Sequence, residues 1–335
     1  PVMVASGPNG GILGQFNARD GWITTAHQEN SSHAVSIAMA LDGSALAAVH
    51  RSADDLLRVA HFEGAQWKGF DVIGPTITTR SAPSLVAGDS AMHLVFHGSN
   101  FKYYYARYAP NAWSPADEAI EPPGDAQSYG PTRPRLAVKN DEPTVAFSGD
   151  DQKVYVQTRS ADSWLAAEAV AGSKTLDPPA IVKLKGSAGW LLVYTHNEVI
   201  DPKHTKIMWS YASSGEWSEP AIIDPDVFTT DTISIIGLAG GDALLSYRGS
   251  DSRAYVTRFF SGSAPTWSRA QAVAGADVLV DSSPSLANGS GSAEAELAAV
   301  VNGAAVHLRY DNGTWSEPAA IGGANLLHVA IATAP

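Results

Sequence analysis

Seven times along the chain a short apolar run stops at a polar residue, usually with glycine close behind. The internal copies are 46–49 before His50-Arg51, 93–96 before His97-Gly98, 144–147 before Ser148-Gly149, 191–194 before Thr195-His196, 244–247 before Arg248-Gly249 and 297–301 before Asn302-Gly303. The seventh is at the amino end, 2–5 before Ser6-Gly7. Apolar runs of this length bounded by turn residues predict buried β-strands. Each is preceded by a segment seeded with Ser, Thr or Pro (34–38, 83–87, 134–138, 179–182, 233–238, 284–287 and, at the carboxyl end, 326–332), which predicts another strand. Each internal run is followed by an alternating, often aromatic stretch, as in 103–108, 154–159, 207–211, 255–260 and 306–310.

A tryptophan closes every unit. Trp22, Trp67, Trp113, Trp164, Trp217, Trp267 and Trp315 follow one another at intervals of 45 to 53 residues, and only Trp190 and Trp209 fall outside the series. Turn-forming residues such as Asp20-Gly21, Gly64-Ala65 and Asn312-Gly313 precede the series members, so each marks a hairpin entering a strand. Four strands per unit, seven units and a period near 50 predict an all-β, seven-bladed β-propeller of four-stranded antiparallel blades. Residues 1–335 then form one domain, whose seventh blade combines about 323–335 with 1–30 and so removes the free sheet edges. The regular period predicts that the indoles are wedges between blades, with presentation of an aromatic face to a ligand as the second reading.

Composition narrows the function. Among 335 residues, 34 are acidic and 22 basic, a formal charge of −12 that repels phosphate backbones, so nucleic acid is not an expected partner. Cysteine is absent, which excludes disulfides and thiolate chemistry without fixing the compartment. No apolar run reaches the roughly 18 residues that predict a membrane-spanning helix. No Gly-x-Ser-x-Gly elbow and no Gly-x-Gly-x-x-Gly fingerprint occurs.

The fullest copy of the hairpin signature is Gly313-Thr314-Trp315-Ser316-Glu317-Pro318. Trp-Ser-x-Pro after Asp-Asn-Gly or Ser-Gly-Glu resembles the degenerate Asp-box (bacterial neuraminidase) repeats of sialidase-like propellers. The full box, Ser-x-Asp-x-Gly-x-x-Trp, is not met, and Asp311-Asn312-Gly313-Thr314-Trp315 is one residue short of it. The whole unit is also similar to the repeats of bacterial and fungal sugar-binding propeller lectins, the seven-bladed Photorhabdus-type and the six-bladed fucose lectins. The resemblance covers essentially the whole chain. It implies a non-enzymatic glycan-binding protein with several related pockets between blades, secreted or at the cell surface of a bacterial-type cell. The alternative it implies is a glycosidase or sialidase-like enzyme acting on a saccharide at the mouth of the central channel.

Candidate ligand-binding residues stand where buried runs begin and end. A column entering the innermost strands holds His33, Arg80, Arg133, Asp177, Asp231 and Asp281; a column leaving the second strands holds Ser6, His50, Arg51, His97, Ser148, His196, Arg248 and Asn302. Such positions suit a solvated rim, or a polar funnel for a hydroxylated or anionic ligand. Trp209 and Tyr255 add aromatic platforms in alternating strands, and Tyr103-Tyr104-Tyr105 adds another. For catalysis, the resemblance implies an arginine clamp drawn from Arg51, Arg80, Arg133 and Arg248, with Tyr194 or Tyr247 as nucleophile and Glu198 nearby. Asp177 and Asp231 are the candidate carboxylate pair of a glycosidase. No cofactor is expected; three aspartates, Asp177, Asp231 and Asp281, are candidates for a structural calcium, and His50, His97 and His196 for a transition metal.

Overall fold

Alternation of apolar and polar positions resolves, among the described residues, into 32 short strands and one 3-10 turn, from Val2–Gly7 to His328–Ala332, with one antiparallel sheet per repeat. The structure is a computed structural model. It describes all residues except 18, 32, 52, 75, 80, 110–111, 116–117, 121–132, 187–188, 197–204, 214, 230, 274–277, 312 and 335, and the side chains of 17, 50, 51, 118 and 119.

Seven sheets surround one axis. Their innermost strands are Ser36–Met39, Ser84–Ala87, Arg135–Lys139, Ala180–Lys183, Ser234–Gly237, Ser285–Asn288 and His328–Ala332, which number blades 1 to 7. Each begins or ends within two residues of the segment that the sequence predicts. Blade 7 is shared between the termini: His328–Ala332 pairs with Val2–Gly7, which continues to Gly10–Asn17 and Gly21–His27. No sheet edge is left at the point where the chain ends meet.

The apolar core lies between the blades rather than within them. Buried side chains form seven clusters, each joining neighbouring blades. Leu94 and Phe96 of blade 2, for example, pack with Leu57 and Val59 of blade 1. Period-2 alternation sends the two faces of each strand into two different seams, so both faces are apolar and the second strands read as continuous hydrophobic runs.

Inner strands of adjacent blades are stitched by serine. The Ser36 hydroxyl accepts a hydrogen bond from the Leu85 amide of the next blade (2.9 Å), and Ser84 does so from Leu136 (3.0 Å), Ser234 from Leu286 (3.1 Å) and Ser285 from Ile331 (3.3 Å). These bonds and the strand registers equate Ser36, Ser84, Arg135, Ala180, Ser234, Ser285 and Ala330 around the ring, so blade 3 carries an arginine where four blades carry serine.

Trp-Ser is a device of construction. Ser114, Ser218, Ser268 and Ser316, each following a series tryptophan, accept the amide hydrogen of Arg107, Tyr211, Arg258 and Arg309 on the third strand (2.8–3.1 Å). The outermost strand is broken there; in blade 6 it is Thr314–Trp315 and then Ala319–Gly322. Blades 7 and 1 have Trp22-Ile23 and Trp67-Lys68 instead, and their outer strands, Gly21–His27 and Gln66–Ile73, run unbroken.

Candidate functional site

The antiparallel order of each blade puts the entry loops and the hairpins between second and third strands at one face of the ring, and the tryptophan hairpins at the other. The polar columns and the tryptophan series therefore do not form one site.

On the polar face, Ser and Thr hydroxyls shape the entry loops. Ser31, Thr79, Thr175 and Thr229 each donate to the carbonyl two residues on, at His33, Ser81, Asp177 and Asp231 (all 3.2 Å). Thr79 and Thr229 also bond the carbonyls of His97 (2.8 Å) and Arg248 (2.9 Å), tying entry loop to second strand. These bonds make His33, Asp177 and Asp231 equivalent, whereas Asp281 and Arg133 are displaced by one residue in opposite directions. In the leaving column, the strand registers equate Ser6, His50, His97, Ser148, Thr195, Arg248 and Val300. His196 lies one residue and Asn302 two beyond that position, and a one-residue slip turns a side chain to the other face.

Few of the predicted site residues meet. His97 is only 1% exposed and stacks edge-on against Tyr103, ring centroids 4.9 Å apart. Asp177 accepts from the Thr195 hydroxyl (2.7 Å), and His196 Nδ1 lies 3.1 Å from the Lys174 carbonyl. Arg248 donates to the Val280 carbonyl (2.8 Å) and Ser252 hydroxyl (2.7 Å). Tyr255 stacks on Tyr247 and donates to Asp251 (2.8 Å). Arg80 and Glu198 lie outside the described residues, as do the side chains of His50 and Arg51.

Tyr255 belongs to a motif that the chain repeats. Gly98-x-Asn100-x-Lys102-x-Tyr104, Gly149-x-Asp151-x-Lys153-x-Tyr155 and Gly249-x-Asp251-x-Arg253-x-Tyr255 all form the same hairpin. The Asn or Asp accepts from the backbone two residues on and bonds the tyrosine hydroxyl at 2.7–3.0 Å. The glycine is needed because a Cβ there would meet the tyrosine ring at 2.7 Å.

Around the axis, the inner strands enclose a channel of about 740 Å³ whose wall includes Arg133, Arg135, His33, His328 and Asp231, but neither Asp177 nor Asp281. Arg135 crosses from blade 3 to donate to the Ile233 carbonyl of blade 5 (2.9 Å). Burial lowers the Arg133 guanidinium to about 10 against the opposing pull of Asp231, and burial, with Arg133 beside it, lowers Arg135 well below its ordinary value. The Asp231 carboxylate is already engaged by the amides of Thr232 (2.7 Å) and Ser283 (2.9 Å).

On the opposite face, all seven series tryptophans are half-buried, and each joins the apolar cluster or rings of the preceding blade. The registers equate Leu13, Val59, Tyr105, Val156, Trp209, Val256 and His307 on the third strands. Aromatic rings occupy this position in blades 2, 4 and 6, and there the next blade's indole meets them edge-on: Trp164 on Tyr105 (5.5 Å), Trp267 on Trp209 (6.4 Å) and Trp22 on His307 (5.2 Å). Trp209, outside the tryptophan period, is thus the seam partner of Trp267.

Behind two of these seams lies a buried polar pair that sequence reasoning missed. In blade 2, His93 Nδ1 is 2.8 Å from the Tyr105 hydroxyl; at the matching positions of blade 6, His307 Nε2 is 2.6 Å from Glu296. Burial pushes His93 down to about 4, opposed by Asp141. Burial opposes ionisation of Glu296 too, but hydrogen bonds from His307 and Ser290 outweigh it and hold its carboxyl below the usual range.

Of the residues proposed for a sialidase centre, Arg80, Glu198 and the Arg51 side chain lie outside the described residues, and the two candidate nucleophiles are core tyrosines. Burial raises the Tyr194 phenol to about 12 and raises Tyr247 well above its ordinary value, so both are neutral core residues rather than activated nucleophiles. Among the described residues no group of three His, Cys, Asp or Glu side chains is placed to hold a metal ion.

No protein-family model and no curated protein matches the sequence. Solved structures do. The chain is similar to the BP39L lectin from Burkholderia pseudomallei, with a TM-score of 0.74 at 14% identity over 95% of this chain and 94% of that one. It shares the propeller fold of that lectin. It is also similar to the SapL1 lectin in complex with α-methyl fucoside (TM-score 0.58, 12% identity, 88% and 97% covered) and to the fucose-specific lectin from Aleuria aurantia (TM-score 0.51, 11% identity, 78% and 87% covered). At these identities the likeness is one of architecture.

Proposed function

We propose that the protein is a carbohydrate-binding propeller, a lectin rather than an enzyme, with several sugar sites at the blade seams of its tryptophan-bearing face. The observation that carries this reading is the ring of seven half-buried indoles at equivalent seams. A pyranose offers one apolar face, which stacks on an indole, while its hydroxyls reach nearby backbone and polar side chains. Repetition fits the reading, because weak single-site affinity is raised by multivalent attachment to a glycan-bearing surface. The similar structures support it, since they include a fucose-specific lectin and a lectin bound to a fucoside, which makes fucosides the first ligands to try. Asp177, His196 and Arg248, at the other face, are secondary candidates for sugar hydroxyls, as are Arg51 and Arg80 from the sequence pattern.

A glycan array followed by calorimetric titration tests this. The expected result is more than one equivalent site per chain, with binding perturbing tryptophan emission. Absence of binding to every glycan, or a single site on the axis, would overturn it.

A further inference from the structure

The repeat makes one blade stand out. At the two positions where the inner strand enters the channel, the other blades carry Ala34 and Ser36, Ala82 and Ser84, Pro178 and Ala180, Thr232 and Ser234, Ser283 and Ser285, or His328 and Ala330. Blade 3 alone carries two arginines, Arg133 and Arg135. In a chain of formal charge −12, two arginines on successive channel-facing positions are not explained by the packing that the other six blades achieve with Ala, Ser, Thr, Pro and a single His328.

Their hydrogen bonds are not filled. Arg133 is 7% exposed and its Nε has no acceptor among the described residues; Arg135 uses one nitrogen on Ile233, and its Nε is likewise without a partner. Asp231 is the acid that faces them from the channel wall; among the described residues its oxygens accept from the amides of Thr232 and Ser283 and make no ion pair with either arginine. Around the same level, the hydroxyls of Ser36, Ser84, Ser234 and Ser285 accept backbone hydrogen bonds, which leaves their own protons to donate. Buried guanidinium groups without acceptors are costly unless an anion supplies them.

We propose that the axial channel binds a small oxyanion, a sulfate, phosphate or carboxylate group, held by Arg133 and Arg135 with the serine ring as further donors. The forked guanidinium geometry matches paired oxygens, and removal from water strengthens each charge-assisted bond. The channel volume admits the ion together with water. This site is separate from the seams and stands independently of the glycan reading.

Melting of the full chain in sodium sulfate, phosphate or acetate, against sodium chloride at equal ionic strength, tests the proposal together with anomalous diffraction from crystals soaked in selenate. The expected result is a saturable rise in melting midpoint for at least one oxyanion, selenate density beside Arg133, and roughly tenfold weaker binding in Arg133→Gln and Arg135→Gln. Arg133→Gln loses no side-chain hydrogen bond among the described residues, so it decides the matter even where Arg135→Gln fails to fold. In chloride alone it is expected to melt at or above the wild type, and in saturating oxyanion below it. A rise that is linear in salt and equal in wild type and Arg133→Gln would be general salting-out and would overturn the site. So would density elsewhere or saturable binding that both variants keep.

Discussion

Trp164 of blade 3 meets Tyr105 of blade 2 edge-on, ring centroids 5.5 Å apart and planes at 85°, with the Arg159 guanidinium 5.1 Å from the same tyrosine ring. The contact joins two blades whose sheets share no strand pairing. Trp164→Ala is expected to cost about 2–4 kcal/mol, the upper range for tryptophan being reduced because the indole is half-buried. Urea unfolding measures this; a loss under about 1 kcal/mol would show that the seam does not depend on the indole.

Closure depends on the last strand. His328–Ala332 pairs with Val2–Gly7 and also contacts the inner strands of blades 1 and 6. Removing residues 328–335 exposes the edge of Val2–Gly7 and is expected to abolish cooperative melting, or to shift the protein into aggregates. A truncated chain with an unchanged calorimetric transition would contradict closure through this strand.

Serine stitching is expected to be additive. Ser84→Ala and Ser234→Ala each remove an inter-blade hydrogen bond and should each cost about 1 kcal/mol. Because the two lie in non-adjacent blades, the double variant should lose the sum within about 0.5 kcal/mol. Coupling well beyond that would mean that strain passes around the ring.

Gly249→Ala sets a methyl group 2.7 Å from both Asp251 Oδ1 and the Tyr255 ring. The overpacked hairpin should lose about 1–3 kcal/mol. Gly262→Ala, with nothing within 4 Å of the added carbon, is the control and should be near neutral. Equal effects would argue against the close glycine–tyrosine approach.

Acid should weaken the blade 2–3 seam before it reaches the carboxylates. His93 is held at about 4 in the folded chain and has its ordinary value of 6.5 when unfolded, so between those values the unfolded state binds more protons. Stability is therefore complete above about pH 6.5 and falls toward pH 4, by at most about 3 kcal/mol. His27, lowered by burial, contributes in the same direction, and Glu296 adds a further loss below its unfolded value of 4.5. His93→Gln should flatten, without abolishing, the slope between pH 4 and 6.5; an unchanged slope would assign the loss to other groups.

The seven blades, the strand closing them and the wedge role of the tryptophans were legible in the sequence. Burial at every seam demands the same apolar spacing each time, and a repeat exposes that demand as a period. Trp-Ser was visible as a signature, but its cause, a hydroxyl accepting a third-strand amide, was not. Site residues were less legible. Loop lengths differ between blades, so the polar columns read along the chain slipped by one or two residues at His196, Asp281, Arg133 and Asn302. Arg135 was hidden inside a strand, although it stands where four other blades carry serine.

Local pattern thus determined which residues become strands, how many blades form and where each hairpin turns, because those properties depend on period and turn chemistry near in the chain. Only the tertiary structure decided that the entry loops and the tryptophan hairpins occupy opposite faces and that Trp209 serves a seam. Only it decided that Arg135 reaches from blade 3 to blade 5. Those relations join residues far apart in sequence, and they are set by strand register and ring closure, which no single repeat contains.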